Sequence, residues 1–327
     1  MTVKEQLLSF LEAQGGRPVS GQNLADRLGC SRNAVWKAIQ SLQAEGHRIA
    51  SSRQGYRLVA RSRTMTQEGI RVFLNRQDVR VEVYDSLPST NRTARELALA
   101  GKAGHGSVIC ARSQEAGRGR RGKSFFSPPG SGIYFSVILE PRQSVGDSLR
   151  ITTSAAVAVY RAVREWCGTE LDMKWVNDLY RNGKKVCGIL TEAVTDFESG
   201  QISHAIVGIG INLYIDEAGL PPELAPIVGG IFDNARGCAA DPGQLIAGIV
   251  NHLLDLIENE KGIPEEYFTH NLMQPGTQIL CFYGGQDGTA TEAEVAGILP
   301  DGQLQIRTEE GEVKAISFGE VSLKVRG

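Results

Sequence analysis

Seven consecutive residues, Gly117-Arg118-Gly119-Arg120-Arg121-Gly122-Lys123, hold three glycines and four cations. Glycine lets a backbone adopt positive φ and approach a ligand closely. Four like charges in so short a loop repel one another, so an anion in their midst stabilises it. Arginine in particular suits bidentate binding of carboxylate or phosphate. The spacing also fits G-x-G-x-x-G, the dinucleotide fingerprint, which needs a helix to begin inside it so that pyrophosphate sits on the helix N-terminus. Here Ser124-Phe125-Phe126-Ser127-Pro128-Pro129-Gly130 follows, and such a run cannot continue a helix. Glu140, near the spacing of a ribose ligand, ends an apolar strand-like run instead. An anion-binding loop without a Rossmann helix is expected.

Three other segments carry residues able to meet that loop. Asp85-Ser86-Leu87-Pro88-Ser89-Thr90-Asn91 ends a strand and opens a helix, which places Ser89, Thr90 and Asn91 where free N–H groups cluster. Lys174-Trp175-Val176-Asn177-Asp178 ends a strand with a cation, an amide and a carboxylate. Lys184-Lys185-Val186-Cys187-Gly188-Ile189-Leu190 sets cations at the head of an apolar strand. Taken singly, each reads as readily as a cap, a strand end or a solvated turn. Together they describe a polar, cationic site.

The elements that position these segments alternate strand and helix patterns. Residues 79–84, 108–111, 133–139, 171–175, 186–191 and 202–213 read as strands. Residues 90–100, 149–166, 242–260 and 264–272 read as helices. Asn182-Gly183 is the strongest short hairpin signal. Mixed order with hairpins argues for an α+β fold with a mixed sheet. From Gly276 onward short strands alternate with turns at Gly284-Gly285 and Asp301-Gly302, the pattern of a small SH3-like β-barrel.

The N-terminal residues differ in kind. A first helix carries the stripe Val3, Leu7, Phe10 and Leu11; Ser20 caps a second with Leu24, Ala25 and Leu28. Ser31 caps a third that buries Val35, Ala38, Ile39 and Leu42 and turns Arg32, Asn33, Trp36, Lys37 and Gln40 outward. Two short helices across a three-residue break form a helix-turn-helix. Arg48-Ile49-Ala50-Ser51 and Tyr56-Arg57-Leu58-Val59 flank a basic tip at Arg53, which makes the unit a winged helix. Residues 1–63 hold ten Lys/Arg against four Asp/Glu, whereas the remainder holds 25 against 33. A basic head on an acidic body points to DNA, with Arg32, Asn33, Trp36, Lys37, Gln40, Arg48 and Arg53 as contacts. Arg61-Ser62-Arg63-Thr64 is a polar linker. Domains are expected at 1–63, 64–273 and 274–327.

Six scattered cysteines without a C-x-x-C pair suggest neither a zinc site nor a disulfide framework. No run of about 18 apolar residues is present, and the first 14 residues are amphipathic rather than signal-like. A cytoplasmic protein without membrane contact is expected.

The motifs S-x-P-S-T-N, G-R-G-R-R-G, K-W-x-N-D and K-x-x-G-I-L occur in the order and approximate spacing of the bifunctional biotin protein ligase and biotin operon repressor family, which the whole chain resembles. The resemblance implies formation of biotinyl-AMP from biotin and Mg-ATP, then transfer of biotin to a lysine of a biotin carboxyl carrier protein domain. By motif, Ser89, Thr90, Asn91 and Gln114 would line the biotin head group, with Gly188 beside it. Arg118, Gly119 and Arg120 would close over carboxylate and phosphate, and Lys185 would support them, making Lys185, Arg118 and Arg120 the catalytic set. Gly117, Phe125, Lys174, Asn177, Asp178 and Asn212 would face the nucleotide, with Asp178 toward Mg²⁺. Two positions depart from the family pattern: Val176, usually proline, bears on the bend before Asn177, and Phe125, often tryptophan, offers a smaller aromatic face. The resemblance also implies operator DNA as a partner and a ligand-promoted homodimer. A ligand-sensing repressor without catalysis and a lipoate or octanoate ligase are the competing readings.

Overall fold

The computed structural model describes residues 2–60, 65–140, 148–195, 202–216, 219–235, 237–238, 240–282, 291–317 and 320–323. The linker at 61–64 and the turn at 284–285 lie outside the described residues.

The head consists of α1 (Val3–Ala13), α2 (Gly21–Leu28) and α3 (Arg32–Ala44), followed by the antiparallel pair β1 (Arg48–Ser52) and β2 (Gly55–Ala60). Its helix starts follow from side chains that satisfy otherwise unpaired N–H groups. Thr2 and Glu5 form a capping box, Ser20 accepts from the Asn23 N–H, and Ser31 accepts from the Ala34 N–H. Leu7, Leu8, Leu11, Leu24, Val35, Ile39 and Leu42 close a separate small core. The expected stripe on the first helix is therefore rotated. Leu8 is fully buried, while Val3 and Phe10 are only partly so, and Arg27 lies 5.0 Å over the Phe10 ring. The stem and cation of Arg27 shield Phe10, so an apolar residue stays near the surface.

The central unit runs α4 (Gln67–Arg71), β3 (Val81–Tyr84), α5 (Thr90–Leu99), β4 (Val108–Ala111), β5 (Gly132–Leu139), α6 (Ser148–Cys167), β6 (Asp172–Lys174), β7 (Asp178–Arg181), β8 (Lys184–Thr195), β9 (Ile202–Asn212), α7 (Pro242–Asn259) and α8 (Glu265–Thr269). Seven strands form one sheet in the order β3-β4-β5-β9-β8-β7-β6. Only β3 and β4 pair in parallel, across the α5 crossover. Alternation along β9 assigns the faces. Val207, Ile209 and Ile211 pack with α6 and α7, and Ile206 packs with Ala94 and Ala98 of α5. Gly208, Gly210 and Asn212 continue the α5 face beyond the helix, where no helix covers the sheet and Phe125 lies over Gly210. The hairpin at Asn182-Gly183 forms as expected, both residues having positive φ (51° and 75°).

Several elements are shorter than their patterns, among them the strand expected over 171–175, which spans only Asp172–Lys174. The first strand starts at Val81 rather than residue 79. The helix expected over 264–272 stops at Thr269, because the chain then pairs with β6: Met173 N–H donates to the His270 carbonyl (2.8 Å) and Leu272 N–H to the Met173 carbonyl (2.7 Å).

The C-terminal strands β10 (Gln278–Phe282), β11 (Thr291–Ile298), β12 (Leu304–Thr308), β13 (Val313–Ile316) and β14 (Glu320–Leu323) form an antiparallel sheet ordered β13-β12-β11-β10-β14. No pairing between β13 and β14 closes this sheet into a barrel among the described residues. Its buried Ile279, Cys281, Val295, Leu304, Ile306 and Val321 belong to the same hydrophobic cluster as α6 and α7. The protein is α+β, and among the described residues no helix is long and apolar enough to cross a membrane.

Candidate active site

The uncovered part of the central sheet forms the floor of a cavity of about 480 Å³, a size typical of small-molecule sites. Glycines make that floor. A Cβ at Gly208 would sit 2.1 Å from Asn91 Oδ1, and one at Gly210 would sit 2.5 Å from the Phe125 ring. The Phe125 ring thus lies directly on β9, its other edge over Gly188 of β8, where a Cβ would fall 3.1 Å from it, and Tyr134 stands edge-on at 6.3 Å. Gly117 does not line the cavity; a Cβ there would meet the Phe125 carbonyl at 2.4 Å, so this glycine seats the ring.

One end of the cavity is polar and neutral. Ser89 is buried at the N-cap of α5, just before its first residue, and its side chain makes no capping hydrogen bond. Gln114 Oε1 instead accepts from the Thr90 N–H (2.9 Å), and its Nε2 donates to Ser127 Oγ (2.9 Å). Ser136 Oγ donates to Asn91 Oδ1 (2.6 Å) and lies 2.8 Å from Thr90 Oγ1. Asn91 Nδ2 donates to Glu192 Oε2 (2.7 Å) and to the Leu190 carbonyl (3.2 Å). The Asn91 amide is therefore held at both ends, and it fixes the wall as much as it lines it.

The other end is charged. Arg118, Gly119 and Arg120 form one rim, and a single 3-10 turn at Arg120–Gly122 takes the place of any longer helix. The loop closes on itself through Gly119 N–H to the Lys123 carbonyl (2.6 Å). Across the cavity, Arg120 donates to Asn177 Oδ1 (3.2 Å), and Asn177 Nδ2 donates to the Ile189 carbonyl (2.8 Å). Lys185 Nζ lies 2.6 Å from Asp178 Oδ1. Lys174 lies 5.4 Å over the Tyr180 ring, and Asn212 Nδ2 donates to the Gly229 carbonyl (3.2 Å). The peptide joining Trp175 to Val176 is cis, and Asn177, the next residue, lines the cavity. Cys187, fully buried beneath Lys185, has its thiol pushed up by desolvation, so it is a packing group rather than a nucleophile.

Every expected site residue except Gly117 thus borders one cavity. Ser136, Glu192, Gly208 and Gly210 were not singled out as side-chain contacts by sequence reasoning. The alternating Gly208-Ile209-Gly210-Ile211-Asn212 was the only signal for the two glycines, and Ser136 and Glu192 had none. In the head, all seven expected DNA contacts are exposed. Arg32, Asn33, Trp36 and Arg53 border one open groove between α3 and the β1–β2 turn, whereas Lys37, Gln40 and Arg48 lie outside it.

A winged head joined to a mixed sheet that carries a cationic, glycine-floored cavity defines a helix-turn-helix protein with a ligase-type core. Residues 3–57 match an HTH domain, and residues 83–212 match the Biotin/lipoate A/B protein ligase family. The bifunctional ligase/repressor BirA of Bacillus subtilis is 34% identical over 98% of this chain and 99% of its own. That of Salmonella typhimurium is 31% identical over 79% of each. Among solved structures, a point mutant of the biotin protein ligase from Aquifex aeolicus, in complex with biotin, superposes with a TM-score of 0.60 at 25% identity, covering 75% of this chain and 98% of that one. The chain belongs to the biotin protein ligase family, in its bifunctional ligase/repressor branch.

Proposed function

We propose that this protein joins biotin to ATP, transfers the biotinyl group to a lysine of a biotin carboxyl carrier protein domain, and represses transcription through its winged head. The observation that carries the reading is the convergence of Arg118, Arg120 and Lys185 on one end of a cavity whose other end is neutral and polar. A ureido ring both donates and accepts, which suits hydroxyls and amides such as Ser89, Thr90 and Gln114. A carboxylate and a polyphosphate repel one another, which suits cations.

In the first step a biotin carboxylate oxygen bonds to the α-phosphorus of ATP, and the bond to the β-phosphate oxygen breaks, releasing pyrophosphate. Arg118, Arg120 and Lys185 offset the charge gathered there. One cation about 4 Å from an anion contributes on the order of 4 kcal/mol at an effective dielectric of about 20, which amounts to about a thousandfold in rate. In the second step the lysine amine bonds to the acyl carbon, AMP leaves, and the amine proton passes to solvent. Lys174, Asn177 and Asn212 face the nucleotide half, and Phe125 gives that half an aromatic wall. Mg²⁺ would enter as Mg-ATP. Asp178 and Asp216 both border the cavity, which fits the habit of Mg²⁺ to take one or two carboxylates and complete its shell with phosphate and water.

Incubation with ATP, labelled biotin and a carrier domain, run in parallel with lipoate, tests the proposal. Label on the carrier from biotin alone is the expected result. Transfer of lipoate in preference to biotin would move the assignment to the acyl-ligase reading, and transfer of neither would leave a ligand sensor.

A further inference from the structure

The segment Lys174–Asp178 places three nucleotide-facing groups, yet β6 and β7 themselves are only three and four residues long. What fixes it comes from elsewhere in the chain. On one side β8 holds Asn177: its carbonyl accepts from the Ile189 N–H (2.9 Å), and its side chain donates to the Ile189 carbonyl. On the other side are two buried donors distant in sequence. Tyr267 of α8, wholly inaccessible, donates its O–H to the Val176 carbonyl at 3.0 Å. The Trp175 indole N–H donates to the Gly302 carbonyl at 2.9 Å.

Gly302 lies in the turn between β11 and β12 of the C-terminal sheet, and only glycine suits it. Its φ is 88°, and a Cβ would come 2.6 Å from Ile263 Cδ1 and 3.5 Å from Leu149 Cβ. The Cα of Gly302 thus packs closely against α6 and the α7–α8 connection. Burial pushes the Tyr267 phenol up, so its O–H remains a donor throughout the working pH range. Tyr267 does not border the cavity; it reaches the site only through the backbone it holds.

We propose that Tyr267 and the Trp175–Gly302 pair are positioning residues for the nucleotide half of the site, clamping the Val176–Asn177 backbone so that Asn177 meets Arg120. The C-terminal sheet then takes part in the site through the turn at Gly302. This rests on the reading of that half as the ATP side. Displacement of a positioned group by about 1 Å can cost up to a hundredfold, and loss of one donor to a buried carbonyl is a smaller disturbance.

Tyr267→Phe and Trp175→Phe in the full-length protein test the clamp, since each removes a donor and keeps a ring. The expected result is a fall of about tenfold in kcat/KM for ATP in biotinyl-adenylate formation, with the biotin Kd within about twofold of wild type. Hydrogen exchange over residues 174–190 should quicken, and that over 89–100 should not. Unchanged ATP parameters, or equal losses for ATP and biotin, would overturn the clamp, because a merely structural role lowers stability without separating the two substrates. Trp175 itself borders the cavity, so if Tyr267→Phe fails to fold, Trp175→Phe decides through the exchange pattern: quickening over 174–190 supports the clamp, and unchanged exchange overturns it. Should the wild-type protein form no adenylate, the ATP reading falls, and the exchange pattern still decides whether the clamp exists.

Discussion

Lys185 shows how a single residue acquires a role from its surroundings. It stands at the head of β8, a quarter exposed, with Asp178 beside it and Gly188 leaving room for its stem. A solvated lysine would have neither neighbour. Lys185→Ala is expected to slow adenylate formation at least about a hundredfold, within the Coulombic magnitude above, while leaving the melting midpoint close to wild type. Pyrophosphate release at near the wild-type rate would exclude it from the chemistry. The cations of this site were legible in the sequence because four of them crowd into the glycine-rich run 117–123 and two more, Lys184 and Lys185, head an apolar strand. Ser136 and Glu192 were not legible, since a serine inside β5 and a glutamate inside β8 look like any strand residues. Their place beside Asn91 emerges only from a register that joins positions 45 and 101 residues apart.

Elements were legible where local chemistry decides them. Ser20, Ser31 and Asn182-Gly183 mark two helix starts and a hairpin through their own hydrogen bonds and dihedral angles. The end of α8 was not legible, because pairing with β6 across about a hundred residues outweighs helical periodicity there. The β1–β2 turn illustrates such distant control. Gly55 has φ of 121°, and a Cβ would lie 2.1 Å from the Val19 carbonyl, where Val19 and Tyr56 pair. Gly55→Ala should therefore detach the turn from the α1–α2 connection and weaken DNA binding by at least tenfold, with biotin transfer unchanged; gel-shift and transfer assays on one preparation would tell. The glycine–arginine loop makes a second case. With only one 3-10 turn inside it, it should be cut readily by trypsin and become protected on adding biotin and ATP. Neutral residues at Arg118 and Arg120 should let the adenylate escape faster. Cleavage at the same rate with and without ligands would count against ordering by the adenylate.

At the scale of the molecule, the head and body differ in charge and meet where α1 packs on α4, with Arg71 beside Glu5 (3.6 Å) and Val72 against the head core. Lys4 of α1 bridges Glu45 of the head (2.5 Å) and Glu68 of α4 (2.7 Å). A winged-helix unit reads one half-site, and two-fold operators require two such units. The adenylate, accumulating once unmodified carrier runs out, would order the loop and favour a dimer. If Arg32, Lys37, Arg48 and Arg53 each neutralise one phosphate, the slope of log K against log salt should be about −4 per head. The measurement that bears most directly on the joint enzyme and repressor is a titration of DNA, selected by this protein from a random pool, with and without biotin plus ATP and then with added carrier domain. Tighter binding and doubled mass with the two substrates, reversed as the carrier becomes biotinylated, is the expected result; identical affinity and mass in all three conditions would contradict it.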